Sequence, residues 1–240
     1  MNRKNDTAVI LDAAIEQHKL IVASYESALR NKSLDLRVPV KNVMENFRSA
    51  LDYMAHDIYE ACCKPTRMAS GLPDPQNIYF PYGQTEREFK SGVGSSLPGL
   101  ATASPAVYEL LVSIQPFACS DNWLYGLCLI LNENKHDRLT EQVRTENQTH
   151  TVESPHGRVA IPVNNPSAKV VSRPGAGKIF DVPAEFRVDG IYTPPYSELK
   201  HVRTTWVAFT FAGTDVNVIN LLNKAVTSVK KFADDLYRLI

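Results

Sequence analysis

The feature that most restricts the fold is a change of texture along the chain that is later reversed. Up to about residue 139, apolar residues recur at helical spacing. From about Gln142 to Ala212 the chain turns to short runs rich in Val, Phe, Tyr and Thr, cut by "ESPHG", "NNP", "RPGAG", "DG" and "TPP". Helical spacing then resumes, with Val218, Leu222, Val226, Val229, Ala233 and Leu236 on one stripe. So apolar a stripe has to be buried, and the sheet-like stretch before it offers no helix to cover it. The economical arrangement returns the last helix to those of the N-terminal half. The expected class is therefore α+β: a helical bundle of residues 1–139 with 214–240, carrying an antiparallel β insertion of residues 140–213.

The same periodicity locates the elements. A first helix runs from Asp6 to about Arg30 on Leu11, Ile15, Val22, Tyr25 and Leu29. His18 lies on this stripe, which marks it as a core histidine held by a hydrogen bond. Pro39 suits the first turn of a second helix, which reaches about Cys62 with Val43, Phe47, Leu51, Met54 and Ile58 inward. Residues 64–103 read as a long packed loop with one short strand at "NIYFPYG". A short helix opens at Ser104 and Pro105 and stops at Pro116; the next opens at Ser120 and Asp121 and buries Leu124, Leu127, Cys128 and Leu131. "RTTWVAFTFA" is the clearest strand, with apolar groups on both faces. Thr214 or Asp215 is the expected cap of the last helix.

A chain of 240 residues is long enough for a sizeable core, and 26 basic against 26 acidic residues argue against a wide nucleic-acid groove. Cys62 and Cys63 are adjacent, which suits reduced thiols better than a disulfide framework. The opening "MNRKNDTAVI" lacks the apolar run of a signal peptide, and no later stretch reaches the roughly 18 apolar residues of a membrane span. The expectation is a soluble cytoplasmic protein without membrane contact. Neutral charge and exposed sheet edges are compatible with a homodimer.

Chemistry concentrates at two places. Arg48, Asp52 and His56 follow one another at i, i+4 steps on the second helix, and Asn132, Lys135 and His136 close the helix that ends in "LNENKHDRL". Antiparallel packing of these two helices would unite them. One reading is a structural network in which Asp52 pairs with a cation and, with Lys135 and His136, fixes helix register. This makes the chain a non-catalytic interaction or scaffold protein. The other reading makes Arg48, Asp52, His56, Lys135 and His136 catalytic. His136 would be the general acid or base, Arg48 or Lys135 would stabilise developing negative charge, and Asp52 would orient the imidazole or the cation. That set fits metal-independent cleavage of RNA.

No cofactor or metal is expected. His150, Glu153 and His156 lie close together but lack HExxH or HxH spacing. "RPGAGKIF" fails as a phosphate loop, because Ser172 stands where a glycine is needed and Ile179 where Ser or Thr is needed. Tyr79, Phe80 and Tyr82 beside Pro81 either stack on bases or pin a loop onto the core.

Taken in order, "NFRSALDYMAHDIYE", "YFPYG", "IQPF" and "LYGLCLILNENKHDRL" resemble a pattern of uncharacterised bacterial and phage proteins. In these, an "LRxxLDxLxxxL" helix precedes an "FPI"-like segment, a "QPY"-like turn and an "NKHR"-like helix end. The resemblance spans residues 43–139 and is carried by Arg48, Leu51, Asp52, Phe80, Pro81, Gln115, Pro116, Asn134, Lys135 and His136. Tyr82 after the proline and Asp137 before Arg138 depart from it. The helical part is more distantly similar to HEPN domains, bundles that include RNA-cleaving toxins and carry an Arg followed after four to six residues by His. Arg48 and His56 are too far apart for that motif, and Arg144 with His150 fall where the sheet is expected to begin.

Overall fold

The computed structural model describes residues 3–30, 35–136, 142–163, 177–187, 190–195, 197–212, 214 and 216–240, with side chains for all of these except 29–30, 133–136, 144–147 and 204–207. The class is α+β, and a C-terminal helix follows the strands. By their contacts the residues divide into two compact units, Met1–Val143 with Thr210–Ile240, and Arg144–Phe209.

The first unit is helical. Helices α1 (Lys4–Arg30) and α2 (Arg37–Ile58) pack along each other, and α9 (Val218–Leu236) lies against both and against α8 (Trp123–His136). Directions follow from the pairings. The Arg3 backbone N–H, just before α1, meets Asp57 at the end of α2, so these two helices run antiparallel. The Tyr237 hydroxyl reaches Thr7 while His18 reaches Asn223, so α9 is antiparallel to α1. The core between them holds Val43, Phe47, Leu51, Met54, Leu222, Val229 and Leu236, all buried. Each such side chain contributes about 1.5–3 kcal/mol on leaving water.

On α1 the buried face is Leu11, Ala14, Ile21, Tyr25 and Ala28, and Val22 is exposed. The 3.6-residue period carries the stripe onto Ile21 and past Val22. Leu29 lies outside the described side chains. His18 is half-buried at the rim, where its Nε2 donates to Asn223 Oδ1 at 2.8 Å. The last helix is capped by Asn217, whose side chain accepts from the Asn220 N–H. Of the two expected caps, Thr214 instead donates its hydroxyl to Phe211 O, and Asp215 lies outside the described residues.

Residues 64–103 differ from the long loop expected of them. A π-helical turn, Tyr59–Cys63, extends α2 into α3 (Lys64–Ala69). Pro65 has no N–H to give to the carbonyl four residues back, and the helical ladder shifts register next to it. Then come α4 (Glu86–Ser96) and α5 (Leu100–Ala103). The Gly- and Ser-rich composition hid α4, but Thr85 and Glu88 form a capping box that starts it, and Phe89 and Val93 bury its inner face. Helices α6 (Pro105–Ser113) and α7 (Pro116–Cys119) follow, each with proline in its first turn.

The second unit is built of strands in two three-stranded arrays rather than one sheet. Strands β1 (Gln142–Ser154), β2 (Gly157–Val163) and β6 (Lys200–Phe211) lie in the order β2-β1-β6; β3 (Gly177–Ile179), β4 (Val182–Arg187) and β5 (Gly190–Tyr192) follow in chain order. His150 faces Ile161 in the β1–β2 register. The core of this unit is Val152, Ile179, Ala184 and Ile191, with Val159, Ile161, Phe180 and Phe186 against it. The first half of "RPGAGKIF" lies outside the described residues; the second half supplies β3.

Candidate functional site

The residues of "YFPYG" belong to no helix or strand. Their backbone donors go to side chains instead, which is why the expected strand is absent. The Tyr79 N–H donates to Ser96 Oγ at 3.2 Å, the Phe80 N–H to Asp52 Oδ1 at 2.8 Å, and the Gly83 N–H to Gln115 Oε1 at 3.2 Å. Gln115, fully buried, also donates to the Leu111 carbonyl at 3.0 Å and the Pro81 carbonyl at 3.4 Å. The Phe80 ring stands edge-on to Phe232 of α9, with centroids 5.3 Å apart. Gly83 is needed for this close fit, because a Cβ there would come within 2.5 Å of the Phe89 nitrogen.

Asp52 links this segment to Arg48. Arg48 Nε donates to Asp52 Oδ2 at 3.2 Å, and Nη1 donates to Cys128 Sγ on α8 at 2.9 Å. The guanidinium also lies over the Tyr82 ring, 5.2 Å from its centroid. The Tyr82 oxygen accepts from Asn132 Nδ2 at 2.8 Å, and its ring leans toward Tyr125. Arg48 is thus held by a carboxylate, a sulfur and an aromatic face. Burial opposes its charge, but the pull of Cys128 and Asp52 outweighs burial and holds the guanidinium above its ordinary value. Burial raises the Tyr82 phenol.

A cleft of about 420 Å³ opens beside this cluster, lined among others by Arg48, Tyr79, Tyr82, Ser95, Ser96 and Asn132. The structure therefore brings together Arg48, Asp52 and Asn132. His56 sits one turn beyond Asp52, half-buried, with Arg3, Asp52, Asp57 and Glu60 as its charged neighbours. Burial first and Arg3 second hold its pKa below the usual imidazole value. The side chains of Lys135, His136, Asn134 and Arg144 lie outside the described residues. Sequence reasoning leaves Tyr82 between stacking on bases and pinning a loop, and does not single out Cys128 or Ser96 for the site. No spacing signal marks them, since each reaches the cluster from a separate element.

Asp57 forms a second polar node. It is 4% exposed, accepts from the Arg3 N–H at 2.9 and 3.0 Å, and takes a hydrogen bond from Tyr237 at 3.0 Å. A cavity of about 350 Å³ between α1 and α9 ends at Tyr237, whose hydroxyl is already engaged by Thr7 and Asp57.

In the second unit His150, Glu153 and His156 do not converge. His150 is buried, Glu153 pairs with Lys200 at 3.1 Å, and His156 is exposed at the β1–β2 turn. No group of three or more metal-binding side chains occurs among the described residues. His150 instead joins a chain: the Ile191 N–H meets His150 Nδ1 at 2.9 Å, His150 Nε2 meets His201 Nδ1 at 3.1 Å, and His201 Nε2 meets Thr193 Oγ1 at 2.9 Å. A backbone N–H only donates, so His150 carries its proton on Nε2 and gives it toward His201. His201 in turn donates to Thr193. Neither imidazole has a bare nitrogen directed at a hydroxyl, which removes both as bases toward Thr193 in this state.

No family model, curated protein or solved structure matches the chain. No described helix is long and apolar enough to cross a membrane.

Proposed function

We propose that the chain is a non-catalytic interaction or scaffold protein in which the Arg48–Asp52 pair locks α2, α8 and the segment 79–83 into one register. A single observation carries this reading: Arg48 is held at once by Asp52 of its own helix and by Cys128 and Tyr82 of two other elements. A charge held in this way is costly to unpair and therefore specifies one arrangement. Thermal unfolding of Asp52→Asn tests it. The expected result is a clear fall in midpoint, with no RNA cleavage by the parent protein.

One observation favours a second reading, a metal-independent ribonuclease using His136 and Arg48. Asn132 lines the cleft, and His136 follows it by four residues on the same helix, one turn along. His136→Ala separates the two readings. Under the ribonuclease reading the variant stays folded and loses cleavage of a single-stranded RNA probe; under the scaffold reading there is no cleavage to lose.

A further inference from the structure

The cleft beside Arg48 has donors to spare. Arg48 commits Nε to Asp52 and Nη1 to Cys128, while Nη2 meets no acceptor among the described residues. Tyr82 uses its oxygen to accept from Asn132, leaving its own O–H unspent. Ser96, only 5% exposed, accepts the Tyr79 N–H on Oγ and also has a hydroxyl proton without an acceptor among the described residues. All three line the same cleft. The only buried side-chain polar atom without a partner among the described residues is Arg3 Nη1, so these three donors face the open cleft, where acceptor atoms of a ligand can take the place of water.

The carboxylate in the lining is itself engaged. Asp52 Oδ1 holds the Phe80 N–H and Oδ2 holds Arg48. Three partners on different elements fix the guanidinium, so binding there would not have to order a mobile arginine. Asp52 offsets part of the Arg48 charge, which favours a single oxyanion group over a polyphosphate. The exposed Tyr79 ring at the rim offers an apolar face to the remainder of a ligand.

We propose that this cleft binds the oxyanion group of a small ligand, a phosphate monoester or a carboxylate, through Arg48 Nη2, the Tyr82 O–H and the Ser96 O–H. The proposal rests on Arg48 being a fixed structural cation, as in the scaffold reading.

The test is calorimetric titration of the whole chain with inorganic phosphate and, separately, succinate, each against sodium chloride of equal ionic strength. Saturable binding of either anion is expected, and whichever binds tells phosphate from carboxylate. Tyr82→Phe, which removes one donor and keeps the ring under Arg48, should weaken that binding about tenfold. Gly92→Leu gives a second route that spares the polar cluster. Gly92 lines the cleft, and a Cβ there meets only Pro81 at an ordinary 3.5 Å, so the longer side chain should fill the space and abolish binding while circular dichroism stays unchanged. Binding of neither anion beyond the salt control overturns the site, as does equal binding by the parent and both variants. Failure here with a destabilised Asp52→Asn leaves the scaffold reading standing. RNA cleavage abolished by His136→Ala removes that reading without touching anion binding.

Discussion

Arg48 Nη1 lies 2.9 Å from Cys128 Sγ, so a side chain of α2 is tied to the middle of α8 eighty residues later in the chain. The same guanidinium holds Asp52 and covers Tyr82. Three segments therefore share one cation.

Removing that cation should be expensive. Arg48→Ala leaves Asp52 without its counter-charge and Tyr82 without its stacking partner, and the expected cost is about 3 kcal/mol in urea unfolding. Arg48→Lys keeps the charge but loses the planar fork, and should recover only part of it. A loss below about 0.5 kcal/mol for Arg48→Ala, the range of ordinary surface substitutions, would falsify the register-locking role.

His56 predicts a pH dependence with a definite sign. Burial and Arg3 lower its pKa in the folded protein relative to the ordinary 6.5. Around that pH the folded state binds fewer protons than the unfolded chain, so the stabilising contribution is complete above about pH 6.5 and is lost as pH falls through the folded value. His56→Gln should therefore lose less stability than the parent between about pH 7.5 and pH 5.5, measured as urea midpoints. Parallel pH profiles for the two proteins would rule this out.

The four thiols should react in order of access and ionisation. Cys119 is exposed, Cys62 is half-buried, and Cys63 and Cys128 are buried. Burial, with the neighbouring Cys62 adding to it, pushes the Cys63 thiol up to about 12, and burial raises Cys62 as well. Iodoacetamide at pH near 8, followed by peptide mass spectrometry, should modify Cys119 first and Cys63 only on unfolding. Comparable labelling of Cys63 and Cys119 in the folded chain would contradict this packing.

Gly190 is fixed by a close approach. Its φ is +147°, and a Cβ there would stand 2.3 Å from His150 Nδ1. Gly190→Ala should push His150 off the Ile191 N–H and loosen the β unit, at about 2 kcal/mol or more. Hydrogen exchange reads this locally: the Ile191 amide should lose protection while the amides of α2 keep theirs. Unchanged protection at Ile191 would show that the imidazole does not hold that strand.

Much of the architecture was legible because long amphipathic stripes carry a strong periodic signal. The α+β class follows from the sheet-like stretch and from the Val218–Leu236 helix after it. Residues 64–103 were less legible, since Gly, Ser and Pro mask α4, and the signal that reveals it is the Thr85 and Glu88 cap. Val22 was misread because the early apolar residues fit one face only approximately. The Arg48–Asp52 pair was readable from i, i+4 spacing. Its ties to Cys128, Tyr82 and Phe80 were not, because hydrogen bonds between distant segments leave no periodic trace.

Periodicity along the chain is enough to place Val218–Leu236 in a helix with a buried face and to put Arg48 and Asp52 on one helical face, since both are consequences of local geometry repeated every 3.6 residues. Which groups complete the cluster depends on the packing of distant segments. The N–H donors of Tyr79, Phe80 and Gly83 could have been met by a neighbouring strand; Ser96, Asp52 and Gln115 meet them instead. That choice depends on which side chains packing delivers to the segment, and it is what leaves Arg48, Tyr82 and Ser96 on the wall of one cleft.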